Sequence, residues 1–134
     1  MGTYACMLDR NTITPVHWQM KRSPDGVAVL GEISAELDDL DQEIRQCILT
    51  PKRSVPLNPE KGCDLDQYRD RPMDVRRLFV VAEVRDALTR DVPRIVLRDV
   101  IVETSFSQVS IKVVWAPSEM VLEEFITTQV EYVF

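Results

Sequence analysis

Apolar positions along this chain change period several times, and each change predicts a boundary between elements. Weak alternation through Ile13, Val16 and Trp18 meets Ser23-Pro24-Asp25-Gly26, then resumes as Val27-Ala28-Val29-Leu30. Pro presets one turn dihedral and Gly accepts a positive one, so the segment predicts an N-terminal β-hairpin. Leu37, Leu40, Ile44, Cys47 and Ile48 follow the three-and-four spacing of one helix face, a helix of about three turns that Pro51 stops. Asp38, Asp39 and Asp41 gather near its start, where the macrodipole favours negative charge and an aspartate can cap free N–H groups. From Pro51 to Cys63 the chain has three prolines, one glycine and no periodicity, which predicts a loop long for a domain of this size. A short helical turn over Asp64 to Tyr68 and a break at Pro72 lead into a second helix, Asp74 to Arg90. Its apolar residues form two stripes, Val75, Leu78, Phe79 and Ala82 on one and Val81, Val84 and Leu88 on the other, the pattern of a central, most buried helix.

That helix meets a β-branched run at Asp91-Val92-Pro93-Arg94-Ile95. Pro93 has no N–H and restricts Val92 to extended conformations, so the helix ends near Thr89 or Arg90 and the chain leaves in a new direction. Arg94 follows this rigid corner, where its planar five-donor fork is held in place; an ordinary surface ion pair is the plain alternative. Beyond it, Ile95 to Glu103 reads as a strand, and Val109, Ile111, Val113 and Trp115 alternate with Ser110, Lys112 and Val114 in the next. After the turn Ala116-Pro117-Ser118, the stretch Glu124 to Phe134 puts Ile126, Thr128, Val130, Tyr132 and Phe134 on one face and Thr127, Gln129 and Glu131 on the other. The expected fold is α+β in a single domain: an N-terminal hairpin and a C-terminal three-stranded antiparallel meander, with two main helices on one sheet face. Residues 1–36 form the hairpin region, 37–115 the core and 116–134 the C-terminal strand. That last strand keeps its alternation to the final residue with no polar tail or proline to blunt an edge, so Glu131, Tyr132 and Phe134 are candidates for pairing with a partner's strand.

Composition narrows the class. The 134 residues, 45% of them hydrophobic, suffice for one core, and no apolar run is long enough to span a membrane. The N-terminus lacks the charged and apolar regions of a secretory leader, which points to a protein that is not conventionally secreted. A net charge of −6 without a broad basic face argues against a nucleic-acid backbone as partner. Charge is uneven: six acids and no base lie between Glu32 and Glu43, whereas Arg69 to Arg98 holds eight arginines against five acids. Such arginine use suits carboxylate recognition at protein interfaces, and genomic base composition gives the same bias. Cys6, Cys47 and Cys63 form no CxxC pair and are odd in number, which argues against a disulfide framework and for a reducing compartment; Cys47, on an apolar helix face, reads as a small buried hydrophobe. His17, the only histidine, has no neighbouring ligand residue. No cofactor is implied.

One ordered set of residues resembles a known family. A helix ending Ile48-Leu49-Thr50, a basic loop, Asn58-Pro59-Glu60-Lys61-Gly62-Cys63-Asp64-Leu65, a helix with a late Ala87-Leu88, then Pro93-Arg94-Ile95 and Val100-Ile101-Val102 is similar to the baseplate wedge protein W family of contractile-tailed bacteriophages, with counterparts in type VI secretion baseplates. The resemblance covers roughly residues 40 to 115. It implies a virion structural protein of the tail baseplate, assembled in the host cytoplasm in several copies. Its partners would be other wedge subunits and the sheath protein, whose assembly it helps to start. Carried over by position, Pro93 and Arg94 match the family's docking corner. Where the family usually has Glu before Pro-Arg this chain has Asp91-Val92, so Asp91 is the residue that would replace the carboxylate.

Catalysis is the rival reading, since proteins of this kind have been labelled lysozyme-like. Glycoside hydrolysis needs two carboxylates about 5 to 10 Å apart, one with a raised pKa. Glu123 and Glu124 are neighbours on a strand and diverge to opposite faces, while Asp64 and Asp66 suit the capping of a short helix. Nothing in the sequence resembles a nucleophile triad, a phosphate loop or a metal-ligand spacing. The expectation is a non-enzyme, with a regulatory protein-binding module as a further alternative.

Overall fold

The computed structural model describes residues 18–23, 28–118 and 125–134, and divides into two compact units, 1–39 and 40–134. In the first, β1 (Trp18–Arg22) pairs antiparallel with β2 (Ala28–Ala35), in the register Trp18 to Ala35, Gln19 to Ser34 and Met20 to Ile33. The expected hairpin is present; most of its turn, with His17, Cys6, Glu123 and Glu124, lies outside the described residues. β2 passes without a loop into helix α1 (Glu36–Leu49), Glu36 taking the left-handed conformation at the junction, and Gln19 Nε2 donates to the Asp39 carbonyl at 2.9 Å.

The second unit opens with the rest of α1, whose Leu40, Ile44, Cys47 and Ile48 are buried as their spacing predicts. The Thr50 N–H and hydroxyl both donate to the Gln46 carbonyl, and Pro51 ends the helix. A loop and a 3₁₀ turn (Asp66–Tyr68) lead to α2 (Met73–Asp91), and then β3 (Ile95–Thr104), β4 (Gln108–Pro117) and β5 (Ile126–Val133) form an antiparallel meander in the order β3-β4-β5. Sequence alternation transfers to the sheet directly. Val109, Ile111, Val113 and Trp115 of β4 are buried while Ser110, Lys112 and Val114 are half-exposed. In β3 the period slips, because a bulge between Leu97 and Asp99 inserts Arg98 opposite the Trp115–Val114 step and so returns both Leu97 and Val100 to the core face. The fold is α+β, with two main helices and two antiparallel sheets.

A polar chain running from the core to the surface ties α1 to the meander. The Trp115 indole N–H donates at 2.8 Å to the Thr128 hydroxyl, which donates in turn to Asp41; Arg45 Nε donates to the other Asp41 oxygen at 2.9 Å and Arg45 Nη1 to the Gln129 carbonyl at 2.9 Å. Asp41, expected as one of the acids serving the helix start, is therefore an acceptor for the sheet.

Helix α2 departs from expectation. Of the second expected stripe Val84 and Leu88 are buried but Val81 is only half-buried; the buried arc is Arg76, Val80, Val84, Ala87 and Leu88, and the first stripe faces outward with Leu78 72% exposed. Phe79 on that outer stripe is partly covered by Tyr68, stacked at 5.3 Å between centroids, and by the Arg71 guanidinium at 5.8 Å. The inner arc includes a buried arginine. Arg76 Nε donates to the Tyr68 carbonyl, Nη1 to Ser105, and Nη2 to both Arg69 and Arg71, while the guanidinium lies 5.0 Å from the Phe134 ring centroid. One cation thus joins the segment before α2, the β3–β4 turn and the end of the C-terminal strand.

Candidate functional site

The corner after α2 is built from backbone constraints first. Val92, fully buried, closes the helix through its N–H to the Leu88 carbonyl at 3.0 Å, and Pro93 then stands exposed. The Arg94 carbonyl accepts from both the N–H and the hydroxyl of Ser118, at 2.9 and 2.8 Å, which fixes the corner to the far end of β4. Its guanidinium reaches Glu43 of α1 in an ion pair and keeps 23% of its side-chain surface in water. The fork is held in place, as the corner predicts, but part of what holds it is a carboxylate of its own chain. Glu43 belongs to the acidic front, and nothing in its spacing singles it out as the residue that Arg94 meets.

Asp91 turns the other way. Its carboxylate accepts from the Gly62 N–H at 2.8 Å, from the Cys47 thiol at 3.6 Å and from Arg90 Nε at 3.0 Å, and Arg90 Nη2 also bonds the Gly62 carbonyl at 3.1 Å. Its contacts therefore bind the loop of residues 50–63 to the end of α2, and they do not bring the carboxylate alongside the Arg94 fork. Burial pushes the Asp91 carboxyl upward, but Arg90 and the Gly62 N–H outweigh it and hold it below its ordinary value of 3.8. The Cys47 thiol is pushed up by its contact with Cys63 and by burial, away from the thiolate range. Both cysteines are buried and free, so Cys47 sits in the core as its position predicts.

At the other candidate surface, β5 has a strand neighbour on one side only among the described residues. The Phe134 N–H donates to Ser107 on the β4 side, whereas the Gln129 carbonyl is taken by Arg45. The period of two then directs the backbone groups of Thr127, Glu131 and Val133 outward as well, away from β4. The side chains of Tyr132 and Phe134 are not at that edge. They meet edge to face at 5.5 Å on the core side, Phe134 over Arg76 and Tyr132 beside Asp66. Burial and the Asp66 carboxylate push the Tyr132 phenol up to about 12. Of the residues expected here, Glu131 is exposed, while Tyr132 and Phe134 are half-buried where they close the core.

Solved structures share this fold. A candidate tail lysozyme from Geobacter sulfurreducens aligns over 71% of this chain and 87% of its own, at a TM-score of 0.58 and 19% identity. A chain of the anti-feeding prophage baseplate aligns over 87% of this chain and 85% of its own, at a TM-score of 0.54 and 15% identity. No family model and no curated protein sequence matches the chain. At these identities the likeness is one of fold: the arrangement of helices and meander is shared while most side chains differ.

Each candidate surface has a pH signature. The lowered Asp91 pKa contributes stability that is present above 3.8 and is lost as pH falls through the folded value; the raised Tyr132 pKa contributes stability present below 10 and lost as pH rises towards about 12. Thermal melts across pH are expected to show both flanks. Asp91→Asn should flatten the acid flank and lower the melting temperature at pH 7, and Tyr132→Phe should flatten the alkaline one; unchanged flanks in both variants would contradict these assignments.

Proposed function

We propose that this chain is a structural subunit of a contractile-tail baseplate that docks on other wedge subunits through the Pro93-Arg94 corner and helps to start the sheath. The observation that carries this reading is the shared fold, over most of both chains, with a chain of the anti-feeding prophage baseplate. No helix among the described residues is long and apolar enough to cross a membrane. The corner supplies exposed Pro93 and the partly exposed Arg94 side chain, with buried Val92 and inward-turned Asp91 as their support. The outward backbone groups of β5 at Glu131 and Val133 supply main-chain partners for an added sheath strand, beyond the point where Arg45 covers the Gln129 carbonyl.

The name of the Geobacter neighbour favours a second reading, a tail lysozyme. That chemistry asks for a carboxyl with a raised pKa facing a second carboxylate across a cleft. Here Glu83 is bonded to Lys52 at 2.7 Å and to the Asp64 N–H, Asp66 lies beside the Tyr132 phenol, and Asp91 is shifted downward. These carboxylates hold the fold together, which favours the structural role.

The corner is tested by a double-mutant cycle in tail particles, made in cells whose own copy of the gene is deleted. Arg94→Ala should cost the isolated fold about 1–2 kcal/mol, because it strips a partly buried Glu43 of its partner. It should also lower incorporation at least tenfold, about 1.4 kcal/mol or more of assembly free energy, and should do so again in a Glu43→Ala background. Wild-type incorporation of Arg94→Ala, or identical losses in both single variants and the double, would show that Arg94 acts only within its own chain.

A further inference from the structure

The loop between α1 and α2 is held more firmly than a connection needs, and what it holds out is apolar. Leu57 has its whole side chain in water, at 105% of the reference exposure. Its backbone lies in the left-handed region, with φ of 67°, and so does that of Arg53, with φ of 64°; a bulky residue takes that conformation only when its surroundings impose it. The surroundings do so in several ways. Pro51, Pro56 and Pro59 remove freedom from the chain. The Arg53 N–H donates to the Pro59 carbonyl at 3.0 Å across the mouth of the loop, Asn58 N–H to Val55 and Lys61 N–H to Asn58 at 3.3 Å, and the Ser54 hydroxyl to the Pro51 carbonyl at 2.6 Å. At the base, the Cys63 N–H bonds the Thr50 carbonyl at 2.9 Å and Asp91 takes the Gly62 N–H.

We propose that this loop is a preformed docking knob, in which Leu57 enters an apolar socket on a protein partner whose rim carries Asp or Glu. The acidic rim follows from charge. Residues 51–61 hold three basic residues against one acid in a chain of net charge −6, and Arg53 and Lys61 are exposed and make no ion pair among the described residues. A protein socket suits the knob better than a lipid surface, because fixing the backbone in advance lowers the ordering cost of a shaped contact, whereas a bilayer accepts any apolar group in any conformation. The proposal rests on the baseplate reading only for the place where the partner is sought.

The test uses one substitution that separates fold from docking. Leu57→Gly removes the side chain and relieves the left-handed backbone, so the melting temperature should be unchanged or higher. A photo-crosslinking residue replacing Asn58, beside an intact Leu57, is introduced in producing cells and its adducts are read by mass spectrometry. The expected result is one dominant adduct to another protein, within a peptide of apolar residues flanked by Asp or Glu, falling at least tenfold when Leu57→Gly or Leu57→Asp is added. Adducts to lipid or to a second copy of this chain, or adducts insensitive to Leu57, or none at all, would overturn the proposal, as would a Leu57→Gly chain that melts well below wild type. If the wild-type chain is absent from purified tail particles the baseplate reading falls, while the adduct still decides the knob.

Discussion

Arg76→Met should destabilise the folded chain by about 3 kcal/mol, more than any surface charge removal, because it leaves four part-buried carbonyls without their shared donor. Methionine fills much of the volume and keeps the helix propensity, so the loss reports the guanidinium itself. The carbonyls of Tyr68, Arg69, Arg71 and Ser105 would lose their donors together, and Phe134 would lose the cation over its ring. Arg76→Lys should recover only part of the loss, since a point-charge ammonium with three donors cannot span carbonyls placed around a planar fork. Urea unfolding at pH 7 measures both, and a midpoint for Arg76→Met close to that of wild type would contradict the assignment.

Gly62→Ala is the second large effect. A Cβ at Gly62 would stand 2.2 Å from the Thr50 carbonyl oxygen, the same oxygen that accepts the Cys63 N–H, and the backbone has φ of 101°. No rotamer relieves a clash between a Cβ and backbone, so either the bond closing the loop base breaks or the end of α1 shifts, at a cost of about 3 kcal/mol or more. Gly31→Ala is the internal control. It also has a positive φ, 86°, but open space around the new methyl, and should cost only the conformational preference, about 1–2 kcal/mol. Equal losses at the two glycines would show that the loop base yields.

The order of elements was legible in the sequence because its signals are local. Alternation placed β4 and β5, three-and-four spacing placed α1, and Pro93 placed the corner within a residue of the observed end of α2 at Asp91. What escaped was long-range pairing of polar groups. Arg76 counts as a surface charge in any hydrophobic pattern, so the two stripes of α2 looked equally buried, and the carbonyls that receive Arg76 come from the segment before α2 and the β3–β4 turn, which no periodicity reveals. The Thr128 and Asp41 pair and the Arg94 and Glu43 pair are 87 and 51 residues apart in sequence, beyond the reach of any periodicity. The candidate site was legible in part for the same reason. Proline geometry announced a held arginine, but not that Asp91 would face the loop base or that Tyr132 and Phe134 would close the core. The knob at Leu57 left one signal, three prolines around an apolar residue, which marks a stiff loop without showing which side chain it displays.

Electron microscopy of tails made in cells lacking this gene tests the baseplate role most directly. The account predicts tail tubes that carry neither a complete baseplate nor a sheath, with both restored when the wild-type chain is supplied from a plasmid. Sheathed tails with intact baseplates in the absence of the chain would contradict it.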